Sequence, residues 1–183
     1  MIPNDGKRKV MRGVDKVTLA ADFDFAMEVI DYMLGDYIGE GQDRIVFEAN
    51  IFENCVAKVE YTRPTVYNQK EYLVWRAYQG TTIEQWFAPC VDLTFGGSIL
   101  VQKKIELVTD DNRHLIPDVI PSIFEDVKFS NCGFYNGHFC FCDYSSVFNQ
   151  SIELVMKDVK MKPFESHLKE EIFKEGEQVR LRL

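Results

Sequence analysis

The residues best suited to chemistry lie in the second half of the chain. Asp126, Lys128 and Asn131 fall within Phe124-Glu125-Asp126-Val127-Lys128-Phe129-Ser130-Asn131, and Asp143 follows twelve residues later in Asp143-Tyr144-Ser145. Moving a phosphoryl group requires an acceptor for the attacking hydroxyl's proton, a cation near the moving phosphate and oxygen ligands for a hard divalent ion. These four side chains supply that set. A plainer reading makes Asp126 and Asn131 turn residues and Asp143 a strand end. Asp143 resists it, because the preceding Phe139-Cys140-Phe141-Cys142 should be largely buried. In the first half, Lys58 interrupts an apolar strand between Ala57 and Val59, and Glu71 lies on the helix that follows. An ion pair between them would hold the ammonium where it meets phosphate oxygens. Gly39-Glu40-Gly41-Gln42-Asp43-Arg44-Ile45-Val46 joins two strands. Its glycines let backbone amides approach an anion and Val46 can cover a flat base, although a G-x-G turn is also an ordinary hairpin.

The elements that must position these groups are readable from apolar spacing. Asp22 caps a helix whose Phe23, Met27, Ile30 and Leu34 share a face, with Gly35 as its stop. Strands follow at Tyr37-Ile38, 45–49 and 55–61, short and separated by turn residues. A helix fits 67–78, with Tyr67, Glu71, Val74 or Trp75, and Tyr78 near one face and Gly80 at its end. Strands at 88–95 and 98–105 flank Gly96-Gly97, and Asn136-Gly137 joins 132–135 to 138–143 in a tight hairpin. The segment 106–113 is a polar loop, and 117–131 is rich in turn formers. Pro163 opens a last helix with Phe164, Leu168 and Ile172 at intervals of four, pairs Glu165–Lys169 and Glu170–Lys174, and Gly176 at its end. Val179, Leu181 and Leu183 alternate with arginines as a final strand.

Composition narrows the function. The 183 residues suit one domain of one or two lobes, and 46% hydrophobic content supports a folded core. A net charge of −8 argues against general nucleic-acid binding, which needs a basic face. Lys7-Arg8-Lys9 with Arg12 reads as a solvated terminus. No apolar run is long enough to span a bilayer or serve as a secretory signal, so a cytoplasmic protein with no membrane contact is expected. The cysteines, five in number and without a C-x-x-C pair, read as small buried hydrophobes.

Taken in order, these segments resemble the protein-kinase superfamily, in particular the short kinase-like proteins common in bacteriophage genomes. Gly39, Gly41 and Val46 fit the G-x-G-x-x-G-x-V loop, and Val56-Ala57-Lys58 fits the V-A-I-K strand. Asp126-x-Lys128-x-x-Asn131 fits D-x-K-x-x-N, and Asp143-Tyr144-Ser145 fits D-F-G. Glu71 matches the partner glutamate by position, and Leu100-Val101-Gln102-Lys103-Lys104 would run into an adenine-contacting hinge. The match covers residues 35–146. It implies ATP and Mg²⁺ as cofactors, with Lys58 on the α/β-phosphates, Asp126 as catalytic base, Lys128 at the γ-phosphate, and Asn131 and Asp143 on magnesium. It implies an α+β, minimal protein-kinase-like two-lobe fold with an antiparallel N-lobe sheet, one main helix and a strongly truncated C-lobe. The segments are then a polar stretch (1–20), an N-lobe (21–105) and a reduced C-lobe (106–183).

Departures from the family pattern bear on activity. Arg44 stands at the loop's third glycine, Phe124-Glu125 replaces His-Arg, and Ser145 replaces the D-F-G glycine. Only 40 residues follow Asp143, without Ala-Pro-Glu. The resemblance therefore implies an ATP- and Mg-dependent phosphotransferase acting on protein Ser/Thr hydroxyls or on itself. Its alternative is a catalytically impaired module that engages or inhibits a partner protein, a host protein if the chain is phage-encoded. A small-molecule kinase of the aminoglycoside or choline type ranks lower, since those carry a large helical C-terminal region. The apolar faces near 22–34 and 163–175 make a second copy of the chain a candidate partner.

Overall fold

Short Val- and Ile-rich runs form a sheet because their branched side chains pack well on a pleated surface. The computed structural model describes residue 28 and residues 30–61, 66–94, 96–148 and 159–180. Strands β1 (Leu34–Glu40), β2 (Arg44–Ala49), β3 (Cys55–Glu60), β4 (Cys90–Leu93) and β5 (Ile99–Lys103) form one antiparallel sheet in the order β1-β2-β3-β5-β4. The molecule is thus α+β, with few helices. Helix α1 (Tyr67–Tyr78) has the bounds expected from the sequence and packs on β3, β4 and β5. It buries Asn68, Glu71, Val74, Trp75 and Tyr78. Tyr67, expected on this face, is 36% exposed, and Asn68 is buried instead. Asn68 fits there because its amide donates to the carbonyls of Lys58 in β3 (2.9 Å) and of Ser98 just before β5 (3.1 Å).

The expected helix ahead of β1 survives among the described residues at 28 and 30–33; the rest of it lies outside them. Leu34 and Gly35, read as its last turn and stop, belong to β1. Gly35 is needed there for space, since a Cβ would press on the side chains of Glu48 and Asn50.

In the second half, β7 (Cys132–Tyr135) and β8 (His138–Phe141) make the expected hairpin. Asn136 and Gly137 both have positive φ (49° and 77°), as a two-residue type I′ turn requires. Two further strands were not anticipated. β6 (Val119–Pro121) pairs with β9 (Met161–Pro163), each too short to show alternation. Pro163 therefore closes a strand, and helix α2 (Ser166–Arg180) starts after it. Gly176 lies within α2 instead of ending it, and Val179 is helical; Leu181 and Leu183 fall outside the described residues. Glu170 and Lys174 pair at 3.9 Å, but Lys169 goes to Asp118 at 2.8 Å rather than to Glu165.

One core runs through both halves. Val74, Trp75 and Tyr78 of α1 and Leu100 of β5 join a cluster with Phe124, Phe134, Phe139, Phe141, Tyr144 and Ile172. Phe124 stacks on Phe141 with centroids 4.0 Å apart, and Phe87 meets Tyr144 edge to face at 4.9 Å. A smaller cluster of Ala49, Cys55, Ala57 and Val101 covers the other face of the sheet, as strand alternation dictates. All five cysteines are free, and every one except the half-buried Cys142 is buried. Among the described residues, no helix is long and apolar enough to cross a membrane.

Candidate functional site

Strand alternation sends Val56 and Lys58 to one face of β3 and Arg44 and Val46 to the matching face of β2. There Val46 lies opposite Lys58 in the register, and Arg44 opposite Glu60. This face forms one wall of a cleft of about 600 Å³. The other wall is built by the turn at Phe129–Asn131 and by the segment following β8. Gly39, Gly41, Val46, Lys58, Lys128, Asn131 and Asp143 all line it. Glu71 lies behind the wall, fully buried, and Asp126 is outside the lining.

The polar floor is a chain of alternating charges. Lys58 Nζ contacts Glu71 Oε1 at 2.5 Å and also donates to the carbonyl of Cys142. Arg44 Nη1 donates to Glu71 Oε2 at 2.9 Å, and its Nη2 donates to Asp143 Oδ1 at 2.7 Å. Gln102 Nε2 donates to Glu71 Oε1 at 3.0 Å. A buried carboxylate is tolerated only when its oxygens are paired, and both of Glu71's are. Burial by itself raises the Asp143 carboxyl, but Arg44 and then Lys58 outweigh it and hold the group below its ordinary value. Burial likewise opposes charge on Arg44, yet Glu71 and Asp143 keep its guanidinium even more firmly protonated than usual. Burial pushes the Cys142 thiol up to about 11, which favours the protonated form.

A second group of polar contacts lies beside the floor. Asn131 Nδ2 donates to Asp126 Oδ2 at 2.8 Å, and Lys128 Nζ contacts the same oxygen at 3.1 Å. The Asn131 carbonyl accepts from Cys142 N–H at 2.8 Å, fastening this turn to the segment carrying Asp143. Tyr144, next in sequence, is fully buried and donates to the Ala88 carbonyl at 2.8 Å, which anchors that segment in the core.

The β1–β2 turn is tighter than an anion-cradling loop. Gly41 N–H donates to the Arg44 carbonyl at 2.8 Å, so this amide is already engaged. Tyr61 Oη donates to the carbonyls of Gly41 (2.9 Å) or Gln42 (2.8 Å) and holds the turn from outside. A Cβ at Gly39 would meet nothing within 4 Å, so space does not demand glycine there.

Sequence reasoning gave Arg44 no role beyond interrupting the glycine pattern, gave Gln102 only a place in the strand leading to the hinge, and gave Asn68 none. The signal for Arg44 was its even spacing from Val46, which places both on the cleft face. Gln102 carried a weaker one, a polar residue inside an apolar strand.

Compared with known proteins, the chain matches no family model and no curated protein. The arrangement itself therefore carries the functional argument.

The cleft has the size and character of a small-molecule site. Ligand sites commonly enclose about 300–1,000 Å³ with apolar walls and a few convergent polar groups. Here Ile38, Val46, Val56 and Leu107 offer apolar surface, while Lys58 and Lys128 offer cations. The donor set does not fit a divalent ion equally well. Asp143 Oδ1 is held by Arg44, and Asn131 Oδ1 lies 3.1 Å from the Ser130 hydroxyl that donates to it. Among the described residues, no three His, Cys, Asp or Glu side chains gather as a metal site.

Proposed function

We propose that this chain is a protein-kinase-like module that binds ATP in the cleft and uses the nucleotide-bound form to engage a partner protein, with phosphoryl transfer impaired. The supporting observation is the Lys58–Glu71 pair, buried across strand and helix at the floor of a cleft whose opposite wall carries Asn131 and Asp143. In this reading the apolar wall holds the base, and Lys58 and Lys128 meet phosphate oxygens. Impairment follows from Arg44, which already occupies the carboxylate expected to serve a metal.

A thermal-shift titration with ATP tests the site. A ligand that binds only the native state adds about 2.7 kcal/mol at a hundredfold excess over Kd. The wild type is expected to shift, and Lys58→Ala and Lys128→Ala to shift less. Absence of any shift for folded wild type refutes the nucleotide reading.

A second reading, an active phosphotransferase acting on protein Ser/Thr hydroxyls or on itself, draws support from Asp126. Its carboxylate is oriented by Asn131 and Lys128 at the cleft's edge, an arrangement suited to receiving a hydroxyl proton. Incubation with radiolabelled ATP separates the two. Label transfer by wild type but not by Asp126→Asn supports the enzyme; equal background for both supports the binding module.

A further inference from the structure

We propose that Arg44 takes the place of a divalent cation, so that the cleft binds a nucleoside triphosphate without metal. This inference rests on the nucleotide reading of the cleft and specifies how its anionic ligand is neutralised.

Arg44 is 9% exposed and lines the cleft, yet its side chain meets both buried or partly buried carboxylates of the floor. Nη1 serves Glu71 at 2.9 Å, with the Asn68 side-chain oxygen at 3.4 Å, and Nη2 serves Asp143 at 2.7 Å. Lys58, Arg44, Glu71 and Asp143 together carry two positive and two negative charges. Their sum is zero before any ligand arrives. A dication placed against Asp143 would sit beside a guanidinium that cannot release its proton, and the two would repel. A polyphosphate would meet Lys58, Arg44 and Lys128 on the cleft lining, each already paired with a carboxylate, and needs no further cation beside Asp143. A guanidinium also carries five N–H donors in a planar fork, enough to hold two carboxylates and still reach a phosphate oxygen. Arg44 thus does for Asp143 what a metal would do, joining that carboxylate to the phosphates while cancelling charge.

The test is calorimetric titration of the full chain with ATP, once in excess EDTA and once in excess MgCl₂. Wild type is expected to bind with affinities within threefold of each other in the two buffers. Arg44→Gln is expected to lose at least tenfold in EDTA and to recover part of that loss in MgCl₂, because Asp143 is then open to the metal. Should Arg44→Gln fail to fold, Arg44→Lys keeps the charge without the fork and is expected to weaken EDTA binding by a smaller factor. The wild-type comparison needs no variant. ATP binding by wild type only in MgCl₂ overturns the role of Arg44 and leaves the nucleotide site standing. Absence of binding in both buffers overturns the site and the inference together.

Discussion

Glu71 concentrates the electrostatic risk of this molecule at one side chain. It is fully buried, and its oxygens accept from Lys58, Arg44 and Gln102. Removing it leaves Lys58 without its carboxylate and Arg44 with Asp143 alone. Glu71→Ala should cost about 3–5 kcal/mol, the range for breaking a buried pair from one side, as read by urea denaturation. Asp143 makes a prediction in pH. Its folded carboxyl titrates below its ordinary value because of Arg44 and Lys58. The stability this adds is complete above the unfolded value of about 3.9 and disappears as pH falls through the lower folded value. The stability difference between wild type and Asp143→Asn should therefore stay constant from pH 8 to about 5 and shrink below about pH 4. A gap that widened on acidification would contradict the pairing with Arg44.

Turns and close backbone approaches govern the elements. Gly133 lies in β7 where Phe134 and Glu106 exchange both backbone hydrogen bonds at 2.8 Å. A Cβ at Gly133 would press on the Glu106 carbonyl oxygen, which those bonds hold in place. Gly137 has open space around it but a φ of +77°. Ala there should cost about 1–2 kcal/mol through backbone strain alone. Gly133→Ala should cost more, up to about 3 kcal/mol, because packed backbone must move. Denaturation of the two variants side by side checks the order. The asymmetry also shows what was legible. Asn136-Gly137 declares its turn through its own conformational preference, whereas Gly133 is glycine because of the backbone of Glu106, 27 positions away in sequence. No local pattern announces such a contact.

At the scale of the whole molecule, the two halves share one apolar interior. Phe141 is fully buried, stacked on Phe124 and edge-on to Phe139. It belongs to the same cluster as Val74 and Leu100 of the sheet half. Unfolding should consequently be a single cooperative transition, with far-ultraviolet and aromatic signals coinciding. Phe141→Ala should lower stability by about 3–5 kcal/mol and move both signals together. Two separated transitions would mean that the halves fold independently.

Local sequence determined the parts whose signals are local. Branched residues specified β2 and β3, spacing of three and four specified α1, and Asn-Gly specified the β7–β8 turn. The same local signals placed Lys58 on a strand and Glu71 on the following helix. Tertiary structure alone decided that β3 pairs with β5, that the brief strands β6 and β9 meet, and that Arg44 bridges Glu71 and Asp143. The physical reason is range. Periodicity is a property of neighbouring residues, but a hydrogen bond between side chains 99 positions apart exists only once packing has brought their elements together. Arg44 in isolation is a charged residue at a strand start; its meaning comes from the two carboxylates it was folded against.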